Sequence, residues 1–237
     1  MAEIVKGKLL ARIKRTPTIE SFRFILAKKI HFIPGQFVQV LFDEKDSNNR
    51  MLNKYLSFSS SPTKEYIEVT KRLSESDFSG KLRSLQPQSE VLFKLPLGNC
   101  ILKEEYKRIG FLIGGIGITP VISMIEYSVE KCLETDIVLC YSNRREEEIA
   151  FRKELDQWSA LSSNINIIYT VTDCEPQDMR CISGHINKEL IQKKMKDYNE
   201  RIFFIFGPPR MVEAMQNVCK DIGCEKENIK SESFIGY

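Results

Sequence analysis

The sequence predicts two domains, an antiparallel β-barrel over residues 1–101 and an α/β domain with a parallel sheet over 102–237. Up to about residue 100, short alternating apolar and polar runs are separated by turn residues, the pattern of half-buried strands. Beyond residue 105 near-continuous apolar runs alternate with helical periodicity, the pattern of a parallel sheet covered on both faces. The polar link "GNCILKEEYKR" lies where the texture changes.

In the first domain "EIVKGKLLARI" reads as the opening strand. "FRFIL", "QFVQVLF", "YLSFS", "YIEVTKRL" and "EVLFKL" follow as five more, set apart by "IPG", "EKDSNN", "SSPTKE" and "LQPQS". One short helix is expected in "SESDFSGKLRSL". In the second domain the strands are "RIGFLIGG", "DIVLCYSN", "NINIIYTVT" and "RIFFIFG", with a last run "NIKSESF". Helices are expected in "TPVISMIEYSVEKCL", "EEEIAFRKELDQWSAL", "INKELIQKKMK" and "RMVEAMQNVCKDIG". The second of these places Phe151, Leu155, Trp158 and Leu161 on one apolar face.

Composition excludes several classes of function. A net charge of +3 from 35 basic and 32 acidic residues, dispersed along the chain, leaves no basic stripe for nucleic acid. The N-terminus lacks the apolar core of a signal peptide, so the expected location is cytoplasmic. Seven cysteines without a C-x-x-C pair argue for small buried thiols rather than disulfides, zinc or iron–sulfur, and no metal is expected. Only Cys219 and Cys224 share anything near ligand spacing. Neither His31 nor His185 stands in a catalytic pattern.

The stretch "GFLIGGIGITPVISMI" (110–125) is apolar but carries glycine at a density unusual for a membrane span, and Glu126 ends it. A strand, a tight turn and a helix account for it better. Gly114, Gly115 and Gly117 bare the backbone in the turn, with Thr119 expected as helix N-cap and Pro120 at the first helical position. Such a turn presents N–H groups and a positive helix end to an anion such as a pyrophosphate. It lacks the third glycine of G-x-G-x-x-G.

Together with "PGQFVQV" (34–40), "KYLSFSSSP" (54–62), "DFSGKL" (77–82), "PLGNC" (96–100), "YSNRREEEIAF" (141–151), "FGPPRM" (206–211) and "ESFIGY" (232–237), the segment "GGIGITP" (114–120) resembles, in order, the motifs of the ferredoxin–NADP reductase superfamily. The resemblance covers essentially the whole chain. It implies a Greek-key barrel that binds FAD, a Rossmann-like domain that binds NADPH or NADH, and an FAD-dependent NAD(P)H oxidoreductase. Hydride would pass to the flavin and electrons onward to a separate acceptor protein, such as a ferredoxin, an oxygenase component or a haem protein.

The same resemblance assigns the flavin to Lys54, Tyr55, Leu56, Ser57, Phe58 and Ser59, to Thr70 and Lys71, and to Phe78, Ser79, Gly80 and Lys81. The dinucleotide falls to Gly115, Gly117, Ile118, Thr119, Asn143, Arg144, Gly207, Pro208 and Pro209. Ser57, near the reactive flavin nitrogen, Glu232 and the stacking residue Phe234 are the catalytic candidates, with Tyr237 the alternative for stacking. Where relatives have Arg-x-Tyr-Ser this chain has Lys54 and Leu56, losing a bidentate fork and a ring. Phe206 replaces a cysteine common in relatives. Arg144 and Arg145 favour a 2′-phosphate and hence NADPH, although Glu146, Glu147 and Glu148 stand close enough in sequence to neutralise them. Two further readings remain: an obligate electron-transfer subunit of the dihydroorotate dehydrogenase type, and a binding module that has lost flavin.

Overall fold

The computed structural model describes residues 2–234. By contact the chain divides into two compact units, Met1–Leu102 with Thr119–Tyr127, and Lys103–Ile118 with Ser128–Tyr237.

In the first unit β1 (Glu3–Lys14), β2 (Ile19–Leu26), β3 (Phe37–Leu41), β4 (Asn53–Ser57), β5 (Ile67–Arg72), the helix α1 (Asp77–Ser84) and β6 (Glu90–Leu97) follow one another. The strands form one antiparallel sheet in the order β4-β3-β6-β1-β2-β5. The chain just past β4 then bonds to β5: Phe58 bridges Val69, and the Ser59 N–H donates to Glu68 O at 2.8 Å. That contact nearly closes the ring and gives the outer strand edges a partner. Strands β3, β4 and β5 are successive neighbours, and β6 returns to lie beside β3, which is the Greek-key order. Alternation in β1 turns Val5 and Leu9 inward onto Phe22, Phe24, Val38, Val40, Val69 and Phe93. Phe78 and Leu82 of α1 join this core.

The second unit contains β7 (Arg108–Gly114), α2 (Ile118–Glu130, shared with the first unit), β8 (Asp136–Asn143), α3 (Arg152–Leu161), β9 (Ile165–Val171), β10 (Cys181–Ser183), α4 (Lys188–Lys194), β11 (Ile202–Gly207), α5 (Pro209–Asp221) and β12 (Ile229–Ser233). The sheet is wholly parallel, in the order β10-β9-β8-β7-β11-β12. From β7 the chain steps outward through β8 to β10, then crosses back to β11 on the other side of β7. The β7–β11 boundary is therefore the topological switch point, where open α/β sheets leave a crevice at the strands' carboxyl ends.

Three local readings need correction. The helix expected from Glu146 begins at Arg152, because Glu146–Glu148 forms a separate 3₁₀ turn and Phe151 adopts a left-handed φ of 60°. Leu161, expected on the apolar face of α3, is 76% exposed at the end of the helix. Strand β10 was not expected; at three residues it is too short to show a period. Among the described residues no helix is long and apolar enough to cross a membrane, and no cluster of three or more acidic, histidine or cysteine side chains is placed to hold a metal.

Candidate functional site

The switch point of the second unit is built by contact between the turn after β7 and the carboxyl end of β11. After β7, Gly115–Gly117 forms a 3₁₀ turn that runs into α2. The helix starts at Ile118, so Thr119 lies in its first turn and is not the N-cap. The Ile118 N–H is already donated back to Gly115 and Ile116 O. After β11, Gly207 and Pro208 lead into α5 with Pro209 at its start, the position where a missing N–H costs least.

At Gly117 a Cβ would lie 2.5 Å from Phe206 O, 2.6 Å from Phe206 C and 2.8 Å from Gly207 N. Only glycine lets the turn approach the strand end this closely. A Cβ at Gly114 would meet Met211 Sδ at 2.2 Å, so the neighbouring glycine is shaped by the first turn of α5. Tyr141, buried in β8, donates its hydroxyl to Gly115 O at 3.1 Å and pins the turn from beneath. The signal for Tyr141 in the sequence is a tyrosine inside an apolar strand, whose buried hydroxyl usually finds a partner.

Asn143 ends β8 with 5% exposure, and neither amide atom has a hydrogen-bond partner among the described residues. A buried amide in that state has capacity for a polar ligand. Arg144, next in sequence, is exposed. Of the acids expected to neutralise the arginine pair, Glu146 pairs with Arg152 at 3.6 Å and accepts N–H groups from Gln177 and Asp178, the latter at 3.2 Å. Glu147 lies 3.9 Å from Arg145. Arg144 has no ion pair among the described residues.

On the far side of β11, Phe206 pairs in register with Glu232 and Gly207 with Ser233. Phe234 leaves β12 with its N–H donating to Gly207 O at 3.0 Å and its ring edge-on to the buried ring of Phe206, 6.3 Å between centroids. Burial holds the Glu232 carboxyl above its ordinary range. Glu232, Phe234 and the Gly207–Pro209 turn are thus brought together. Tyr237 lies outside the described residues.

The first unit gathers most of the other candidates along β4, β5 and α1. Lys54 and Lys71 stand near enough for Lys54 to help hold the Lys71 ammonium below its usual range, after the larger effect of burial. Two cations sharing a partly buried site suit an anion between or beside them. Ser57 is 5% exposed at the end of β4, and its hydroxyl has no hydrogen bond among the described residues. Gly80 leaves open space where a Cβ would stand, and Lys81 beside it on α1 is exposed.

The remaining candidates have side chains packed, bonded within the unit or turned to solvent. Phe58 is fully buried and stacks on Phe32 at 3.8 Å between centroids, and Phe78 is buried against Phe42. Leu56 packs on the barrel core while Tyr55 is 63% exposed on the opposite face of β4. The Ser59 and Thr70 hydroxyls bond each other at 2.7 Å, with Ser21 and Glu68 completing the network. The Ser79 hydroxyl lies within a cluster with Ser74 and Ser76, the latter being the N-cap of α1.

A Greek-key barrel and a parallel-sheet unit with a glycine turn at its switch point define a reductase-type fold. Residues 111–217 match the family model of the oxidoreductase NAD-binding domain. The two-unit fold is that of ferredoxin–NADP reductase-like proteins. It is 26% identical over 230 residues to the glycine betaine monooxygenase reductase subunit of Chromohalobacter salexigens, covering 94% of this chain and 62% of that one. It is 26% identical over 198 residues to NADH-cytochrome b5 reductase 2 of Mycosarcoma maydis, covering 81% and 56%. The chain therefore spans about three fifths of the length of these relatives. Its fold matches the flavohaem-like FAD/NAD-binding domain of nitric oxide dioxygenase from Vibrio cholerae, with a TM-score of 0.85, 16% identity, and 97% and 98% of the two chains covered. A ferredoxin–NADP+ reductase from Neisseria gonorrhoeae with bound FAD and NADP aligns with a TM-score of 0.81 and 21% identity over 98% and 99%.

Proposed function

We propose that this protein is an FAD-dependent NAD(P)H oxidoreductase that delivers electrons to a separate acceptor protein. The observation that carries the reading is the close approach of Gly117 to the Phe206–Gly207 backbone at the switch point, which no Cβ would allow and which holds the glycine turn against the carboxyl end of β11. The residues of the first unit fit a flavin: Lys54 and Lys71 supply positive charge for its pyrophosphate, and Ser57 offers an uncommitted hydroxyl. Bound there, the flavin would supply the two-electron acceptance and one-electron release that no side chain of this protein can perform.

The chain's own residues bind and orient. The Gly115–Gly117 and Gly207–Pro209 turns receive the dinucleotide, and the Asn143 amide hydrogen-bonds its polar edge. Glu232, which burial biases towards its protonated form, can hold a proton at its carboxyl oxygen. Phe234 braces the Gly207 turn through its N–H and Phe206 contacts. The acceptor is a redox protein of the oxygenase-component class, in keeping with the monooxygenase reductase that this chain resembles.

Nucleotide choice turns on Arg144. With Glu146 held by Arg152, that guanidinium is left for a 2′-phosphate, which favours NADPH. The relative from Mycosarcoma maydis is named for NADH, so titration with both nucleotides decides the point. The test is Arg144→Ala. NADPH affinity should fall roughly tenfold or more while NADH affinity holds, since charge-assisted hydrogen bonds are worth about 1.5–3 kcal/mol. An equal loss for both nucleotides, or none for either, refutes the assignment.

A further inference from the structure

The helix α5 ends in a Schellman motif. Gly223 takes a left-handed φ of +85°, its N–H donates to Lys220 O at 3.0 Å, and the Cys224 N–H donates to Cys219 O at 2.9 Å. In this motif the residues at the two ends of the longer bond bring their side chains together, ordinarily as an apolar contact. Here both are cysteines. Cys219 is fully buried and Cys224 partly exposed, with the Cys224 thiol donating to Tyr198 O at 3.8 Å. The backbone bond of 2.9 Å also fixes the span. With ordinary covalent geometry on either side of it, the two Cα atoms lie at most about 6.8 Å apart, within the reach of a disulfide.

We propose that Cys219 and Cys224 form a reversible dithiol–disulfide site that reacts with low-molecular-weight disulfides of the glutathione class. This site is independent of the proposed reductase activity. Cys224 is the attacking group, because it is the accessible member of the pair; its proton is lost to solvent as the thiolate attacks. Its sulfur forms a bond to one sulfur of the small disulfide, whose S–S bond breaks and releases one thiol. Cys219 then gives up its proton and attacks the Cys224 sulfur, expelling the second thiol. In net terms two protein thiols are oxidised to one disulfide, and one small disulfide is reduced to two thiols. The bridge ties the last turn of α5 to the chain that leads into β12, the strand carrying Glu232.

The test uses the full-length reduced protein treated with glutathione disulfide at neutral pH, quenched by alkylation and mapped by peptide mass. The expected result is a Cys219–Cys224 cross-link, with loss of two hydrogens, formed before the exposed Cys132 is modified. Cys219→Ser should accumulate a stable glutathione adduct on Cys224, and Cys224→Ser should leave Cys219 reduced. Modification of Cys132 first, with both Cys219 and Cys224 still open to alkylation, overturns the proposal. Failure of Cys219→Ser to take an adduct at Cys224 overturns it equally. Because the readout is mass, it stands or falls apart from flavin binding and activity.

Discussion

Replacing Gly117 by alanine adds a single methyl group at the point where the turn after β7 meets the carboxyl end of β11. The new Cβ would stand 2.5 Å from Phe206 O, 2.6 Å from Phe206 C and 2.8 Å from Gly207 N, all of them backbone atoms that no rotamer change can clear. Restoring the shortest contact to an ordinary separation requires the turn and the strand end to part by roughly 0.9 Å. Overpacking of this kind costs about 1–3 kcal/mol. Because the strain falls on the turns assigned to the dinucleotide, nicotinamide-nucleotide affinity should drop by roughly 5- to 150-fold if that cost is expressed in binding. Calorimetric titration of the variant with NADPH and NADH measures the loss. The flavin content of the same sample should stay that of the parent, since Lys54, Lys71 and Ser57 lie elsewhere in the fold. Parental nucleotide affinity in Gly117→Ala would refute the reasoning by removing the turn from the binding site.

Lys71→Met should release the repulsion from Lys54 and leave the flavin-free protein as stable as the parent or more so, while the flavin dissociation constant rises about tenfold or more; thermal melts with and without FAD measure both. Glu232 gives a pH prediction. Its folded-state value lies above the ordinary 4.5, so the native state binds more protons than the unfolded chain just above that pH, and stability falls as pH rises through this range. Glu232→Gln should abolish that component, seen as a flatter urea midpoint against pH than in the parent; an unchanged profile contradicts the burial argument. Glu68→Ala removes the carboxylate that Arg15 holds at 3.0 Å and Arg23 at 2.8 Å inside the first unit, and should cost about 3–5 kcal/mol in urea unfolding. A cost below about 1 kcal/mol would mean that both guanidiniums find other partners or water.

Much of this architecture was legible because the two periods of the chain differ. Alternation in "EIVKGKLLARI" and unbroken apolar character in "RIGFLIGG" each correspond to burial on one face or on two. The glycine turn was legible too, since bare backbone has few other uses beside a strand end. Its starting point was not, because the 3₁₀ turn consumes residues that a simple N-cap reading gives to Thr119. The nearness of Lys54 to Lys71 depends on the contact between β4 and β5, a long-range pairing that no local pattern announces. Tyr141 beneath Gly115 and the release of Arg144 from Glu146 likewise depend on strand register and on a loop some thirty residues away in sequence. The two thiols at 219 and 224 read as inert spacing until the helix end was seen to bring them together.

The most direct test of the central claim is a visible absorption spectrum of the purified protein, followed by anaerobic titration with NADPH and with NADH. The account predicts flavin absorption, retained on purification or restored by added FAD, that bleaches on addition of nucleotide, with NADPH the better reductant. A protein that stays colourless after incubation with FAD, or a bound flavin that neither nucleotide bleaches, would contradict it.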